Sequence, residues 1–154
     1  MATASGIHVV VATDGSKQSL AAAKHLLTFA DPTRISDVSV VGVVSPYASV
    51  AFADDISQGS SDRTFREAAE DAVATVAAVF DGWGPTVHRR IRSGSPANEI
   101  VKAAGALGAG LVVVASGSRG LSATVLLGST AQRVQHSAPC PVLVVRPTRK
   151  PKKA

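Results

Sequence analysis

One cysteine, Cys140, in 154 residues means that no intramolecular disulfide can staple this chain, so its stability has to come from an apolar core. The four histidines (His8, His25, His88, His136) are scattered without metal-ligand spacing, and no metal site is expected. The strings that mark nucleotide-driven catalysis are missing as well. A kinase-type or adenylate-forming enzyme would need a lysine-bearing GxxxxGK[ST] loop or a histidine-rich turn, and neither occurs. A dinucleotide oxidoreductase would carry GxGxxG after its first strand, where this chain has ATDGSKQS. Enzymatic function is therefore not expected. The first apolar run is too short to span a membrane and has no basic segment ahead of it, so the expectation is a cytoplasmic protein with no membrane contact.

What is present is one domain's worth of chain, with 45% hydrophobic residues. The net charge of +5 suggests a nucleic-acid binder until it is located along the chain. Arg146, Arg149, Lys150, Lys152 and Lys153 lie in the last nine residues, leaving eleven basic against eleven acidic side chains in 1–145. The excess is a Pro-interrupted tail, RPTRKPKKA, with no aromatic interleaving. Such a tail reads as a solvated, disordered end, and nucleic acid is not an expected partner.

The apolar runs at 7–13 (IHVVVAT), 38–44 (VSVVGVV), 111–114 and 142–145 suit strands buried in a parallel sheet. Residues 87–92 alternate Val87 and Ile91 with His88, Arg89, Arg90 and Arg92, which predicts a one-sided edge strand. Between these runs, apolar residues recur at helical spacing. Leu20, Ala23, Leu27 and Ala30 form one face after the Asp14-Gly15-Ser16 turn. Phe65, Ala69, Ala72, Val76 and Val79 form the next; Ile100, Val101, Ala104 and Leu107 follow the Ser95-Pro96 cap; and Ala131, Val134 and Ala138 precede the last strand. Gly42, inside the second strand, marks close approach of a backbone or a ligand. Residues 45–61 show no periodicity and read as a mobile loop or a functional lid.

Five strands alternating with four helices predict a five-stranded parallel α/β sheet covered on both faces, with the common strand order 3-2-1-4-5. In that order the first and fourth strands are neighbours whose following connections leave to opposite faces, so a crevice opens at their C-terminal ends. Ala12, Thr13 and Asp14 reach it from one side, and the small-residue loop Ala115, Ser116, Gly117, Ser118, Arg119, Gly120 from the other. Gly128, Ser129 and Thr130 then start a helix whose free N–H groups attract anions, phosphate in particular.

ATDGS near the N-terminus, SGSPANEIVKAA in mid-chain and VVVASGSRGLSATVLLGSTAQRVQHSAPCPVLVVRP near the C-terminus resemble the universal stress protein family over essentially the whole length. The resemblance implies a single domain over 1–147 with a basic tail at 148–154. Its fold would be adenine nucleotide alpha hydrolase-like, a Rossmann-like α/β sandwich. One branch of that family binds ATP through Gly-x-x-Gly, nine residues and Gly-Ser/Thr; the other branch lacks the motif and the nucleotide. Here an ungapped register puts Ala115 and Ser118 at the two loop glycines and leaves nine residues before Gly128. Starting instead from Gly117 and Gly120 leaves seven. The ungapped register keeps the strand and helix lengths, but a serine forced to φ > 0 at 118 is strained by about 1 kcal/mol or more.

The implied ligand is ATP, with or without Mg2+. It would be held by the residues above together with the backbone of Val43, with Asp14 on the adenine side. Each has a plainer alternative: Asp14 as a helix cap, Val43 as core, Ser129-Thr130 as a hydroxyl cap and Arg119 as a solvated surface cation. Cys140 reads as a small residue entering the last strand. The expected function is an ATP-binding stress-response or signalling protein without fast catalysis; the alternative is a nucleotide-free dimeric interaction protein of the same fold. The last strand, apolar on both faces yet at a sheet edge, predicts a homodimer through Cys140, Val142 and Val144, alongside protein partners that the sequence does not name.

Overall fold

Three consecutive valines at 9–11 point alternately into two separate cores, and this makes their strand the centre of the molecule. Val9 and Val11 belong to one core, Val10 to the other, and all three are fully buried. A computed structural model describes residues 6–45, 61–117 and 128–146. The strands are β1 (Ile7–Thr13), β2 (Ile35–Val44), β3 (Thr86–Ser93), β4 (Leu111–Ala115) and β5 (Val142–Val145). They form one sheet in the order β3-β2-β1-β4-β5, and every neighbouring pair is parallel. The expected order is the observed one.

The four α-helices among the described residues are α1 (Lys17–Phe29), α2 (Ser61–Val79), α3 (Pro96–Leu107) and α4 (Ser129–Ser137). One core packs α1 and α2 through Ala22, Ala23, Leu26, Val73, Val76, Ala77 and Phe80. The other packs α3 and α4 through Ala97, Ile100, Ala103, Ala104, Ala131 and Val134. The connections after β1 and β4 thus leave to opposite faces, which is the condition for a crevice between them.

Some boundaries shift from the sequence expectation. β2 begins at Ile35 rather than Val38, because Ile35 is buried and pairs with Ile7 after a 3-10 turn at Pro32–Arg34 capped by Asp31. On α1 the expected Ala23 is fully buried, but its buried companions are Ala22 and Leu26, while Leu20, Leu27 and Ala30 pack at the margin. Gly42 is answered by a helix rather than a ligand: a Cβ there would lie 2.8 Å from Val73 Cγ2, so the glycine lets α2 close onto β2. The 45–61 stretch lies outside the described residues except for its two ends.

The polar side of the edge strand β3 carries a hydrogen-bond network. His8 Nε2 lies 2.7 Å from Ser39 Oγ, which also accepts from Arg90 Nε at 3.0 Å, and His88 Nε2 lies 2.9 Å from Asp37 Oδ1. The two imidazoles sit 5.9 Å apart. Further along, Arg92 and Lys102 hold the largely buried Glu99 carboxylate at 3.1 and 3.4 Å, tying β3 to α3. Burial would raise the Glu99 carboxyl, but these two partners outweigh it and keep it below its ordinary value.

His8 titrates below its ordinary 6.5 because burial, to which His88 and Arg90 add, outweighs the attraction of Asp37. The sign follows: below pH 6.5 the unfolded chain takes up a proton that the folded chain resists, so stability present above pH 6.5 is lost as pH falls through the folded value. Asp37, lowered by its hydrogen bonds with His88 and Ser36, adds a second loss at lower pH. Urea melts from pH 7.5 to about 5 should show falling stability, and His8→Gln should flatten that slope. An unchanged slope would show that His8 does not carry it.

Candidate functional site

The C-terminal tip of β1 is fixed by a chain of short hydrogen bonds. Ser19 donates its hydroxyl to the Ser16 carbonyl at 2.9 Å, so in its 2.8 Å contact with Thr13 it must accept. Thr13 Oγ1 in turn accepts the Gly15 N–H at 3.1 Å. Ser16 caps α1 by accepting from Ser19 N, and Asp14 Oδ1 accepts the Ser16 N–H at 2.9 Å. Asp14 therefore braces the turn ahead of α1, while the helix cap that the plainer alternative assigned to it is Ser16; Asp14 is also exposed at the strand end. Thr13 and Ser19 are buried polar residues at 8% and 3% exposure, a pairing the sequence reading missed because nothing local marks which serine faces inward. Ser19→Ala would strand the Thr13 hydroxyl and should cost about 1–3 kcal/mol in denaturant unfolding. A loss under 0.5 kcal/mol, on the order of an ordinary surface change, would mean the network is not built as described.

Facing this turn, β4 continues through Ala115, which pairs with Val145, and the chain turns at Gly117 with φ +65°. Ala115 is thus still strand, where a side chain is tolerated, and the left-handed position that needs glycine falls at 117. Gly117 and Gly128 approach closely: a Cβ on Gly128 would sit 3.1 Å from Gly117 Cα. Gly128 is the N-cap of α4 and offers no side chain, so the expectation of a hydroxyl cap from Ser129 or Thr130 is corrected. The helix begins at Ser129, and its glycine N-cap supplies no side-chain bond to the first-turn N–H groups. Ser95 likewise occupies the N-cap of α3 without a side-chain bond.

These elements enclose a cleft of about 440 Å³. Ala12, Thr13, Asp14, Val43, Ala115, Gly117, Gly128, Ser129 and Thr130 line it, as the sequence reading anticipated, together with Ser19, Val41, Pro96, Ile100, Val114 and Ala131, which it did not place there. Ser116 adjoins the cleft without lining it; Ser118, Arg119 and Gly120 lie outside the described residues. Val43 and Val44 of β2 extend past the last β1 partner, which is Gly42 opposite Thr13. The backbone of Val43 is therefore at the cleft free of the β1 ladder. Among the described residues lining the cleft, Asp14 is the only ionisable one. A larger hollow of about 700 Å³ lies across the same strand tips on the α1–α2 side, with Ser45 among its lining residues.

The sequence profile of the universal stress protein family matches residues 8–146. The chain belongs to the universal stress protein family. It is 38% identical over 150 residues to universal stress protein MJ0531 of Methanocaldococcus jannaschii, covering 94% of this chain and 83% of that one. The fold is shared with hypothetical protein MJ0577, whose solved structure superposes with a TM-score of 0.79 at 23% identity over 93% of this chain and 97% of that one. A universal stress protein family protein from Arabidopsis thaliana, solved with AMP bound, gives a TM-score of 0.63 at 16% identity, covering 96% and 97% of the two chains. A universal stress protein in complex with cAMP gives 0.58 at 23% identity, covering 94% and 99%. No described helix of this universal stress protein is long and apolar enough to cross a membrane. Cys140 is half-buried at the entry to β5, and burial raises its thiol above the ordinary range, away from thiolate chemistry.

Proposed function

We propose that this chain is an adenine-nucleotide-binding stress-response or signalling protein of the cytoplasm. It would hold ATP, with or without Mg2+, between the C-terminal ends of β1 and β4 without fast turnover. The observation that carries the reading is the start of α4 meeting Gly117 at Gly128, where, among the described residues, glycine on both sides puts no side chain over the first-turn N–H groups that would face an anion. Asp14 and the Val43 backbone stand across the cleft on the base side. The AMP and cAMP held by two structural neighbours support the ligand class. With Asp14 as the only ionisable lining residue described, the cleft has the parts to bind rather than a nucleophile with its base. Bound ATP would supply a contact that differs between two conformational or partner states and so shifts their balance.

A second reading, a nucleotide-free interaction protein, is favoured by the ungapped register, which puts Ala115 and Ser118 at the family's two loop glycines. The two separate in one experiment: mass spectrometry of the acid-released ligand from purified protein, followed by calorimetric titration with ATP and AMP. Co-purified adenine nucleotide or saturable binding is the expected result. No ligand and no binding would leave the second reading. Under both, we propose a homodimer through β5, with Cys140, Val142 and Val144 in the seam, because that strand ends the sheet with its outer edge unpaired among the described residues.

A further inference from the structure

We infer that the trough between α1 and β5 binds an amphiphilic anion, a free carboxylate with an unbranched apolar tail of about eight to ten carbons. The turn after β1 sends α1 back antiparallel to the sheet, so Lys17, its first residue, lies at the same end of the molecule as Arg146, which follows β5. Lys17, Ala21 and His25 recur every four residues along one stripe of the helix. With Leu143, Val145 and Arg146 they line a hollow of about 510 Å³. Its two ends differ. Lys17 and Arg146 put two cations at the strand tips, and Ala21, Leu143 and Val145 give the trough its apolar middle. His25 stands at the far end, about 12 Å along the helix from Lys17. Its ring lies 5.6 Å from Phe29, the next residue of the stripe, which is 58% exposed.

Charge and apolar surface together select the ligand class. α1 and β5 contain no acidic residue, so the described lining of the trough holds cations without a carboxylate to balance them. A small oxyanion would meet that charge but leave the floor to water, and a neutral apolar molecule would do the reverse. Leu143 and Val145 pack on the α1–α2 core yet stay half-exposed. The β5 dimer proposed above would not cover them. α1 lies chiefly over β4, so three strand spacings would hold the two α1 helices about 14 Å apart, against about 8–10 Å for helices in contact. The inference therefore goes beyond the nucleotide and dimer readings and depends on neither.

The test titrates the full chain calorimetrically with octanoate, octan-1-ol, acetate and a hexaglutamate peptide, with and without saturating ATP. Octanoate should bind saturably, octan-1-ol more weakly and acetate not measurably, and ATP should not displace octanoate. The double variant Lys17→Gln, Arg146→Gln should bind octanoate about tenfold more weakly and octan-1-ol equally. Ala21→Trp, on the exposed side of α1, should fill the trough and abolish both, with circular dichroism confirming the fold. Failure of the full chain to bind octanoate overturns the inference, as does an octanoate affinity that either variant leaves unchanged. An equal loss of octan-1-ol in the charge variant overturns it as a structural effect, and displacement by ATP overturns it by placing octanoate in the nucleotide cleft. Acetate binding as tightly as octanoate would reduce the site to a plain anion site, and hexaglutamate binding without octanoate would assign the trough to an acidic chain; each overturns the inference.

Discussion

Replacing Gly128 with valine and Ser129 with alanine is expected to abolish ATP binding while the protein stays folded. A Cβ at 128 would lie 3.1 Å from Gly117 Cα and 3.2 Å from Gly117 N. Both are backbone atoms, unable to swing aside as a side-chain tip could, and the two valine methyls would widen the gap between the loop and α4 further. Gly117 cannot compensate cheaply, because at φ +65° its own conformation depends on being glycine. The alanine at 129 removes a hydroxyl and about 1 kcal/mol more. A displacement that costs the phosphate its N–H donors should weaken binding about a hundredfold or more. Calorimetry on the double variant, with a thermal melt to confirm folding and Ser129→Ala alone as a milder control, provides the check. Unchanged affinity would remove the phosphate from this place.

The second large effect is expected at Val144. Val142 and Val144 pack on the α3–α4 core and Leu143 and Val145 on the α1–α2 core, so β5 is apolar on both faces. All four residues remain half-exposed in the single chain. Two copies paired antiparallel about a two-fold axis would satisfy the outer backbone edge of each strand and bring the valines of the two protomers together. Val144→Lys would then bury two like charges near the axis, a cost of several kcal/mol per ion, and should turn a micromolar dimer into a monomer. Light scattering gives the mass, and circular dichroism confirms that the variant is folded. A wild-type monomer, or a lysine variant that stays dimeric, would place any interface elsewhere.

The strands, their order and the two-faced helix layout were legible in the sequence because they follow from periodicity: β-branched runs such as 9–11 and 111–114 have few other ways to be buried. Much of the cleft was legible for the same reason, since topology brings the end of β1 to the end of β4 wherever the order is 3-2-1-4-5. What could not be read were pairings between residues distant in sequence. His88 meets Asp37, and Arg90 meets Ser39, only because β3 falls in register with β2; local alternation marked them simply as polar. Gly42 read as the close approach of a backbone or a ligand and proved to be the seat of Val73, a choice that depends on how α2 lies. At Gly128 the local pattern offered a hydroxyl cap, and the glycine one residue earlier took the position instead.

The Ser116 N–H bound to the Val145 carbonyl is one step beyond the β4–β5 ladder, and its proton can exchange with solvent only when the end of β5 lifts away. The neighbouring residue, Gly117, lines the cleft. One amide therefore reports on two places at once: its exchange rate should slow when a ligand settles the loop and slow again when a second protomer pins the edge strand. Followed by hydrogen–deuterium exchange against nucleotide and protein concentration, this single proton measures whether occupancy of the cleft and closure of the edge are independent events or one.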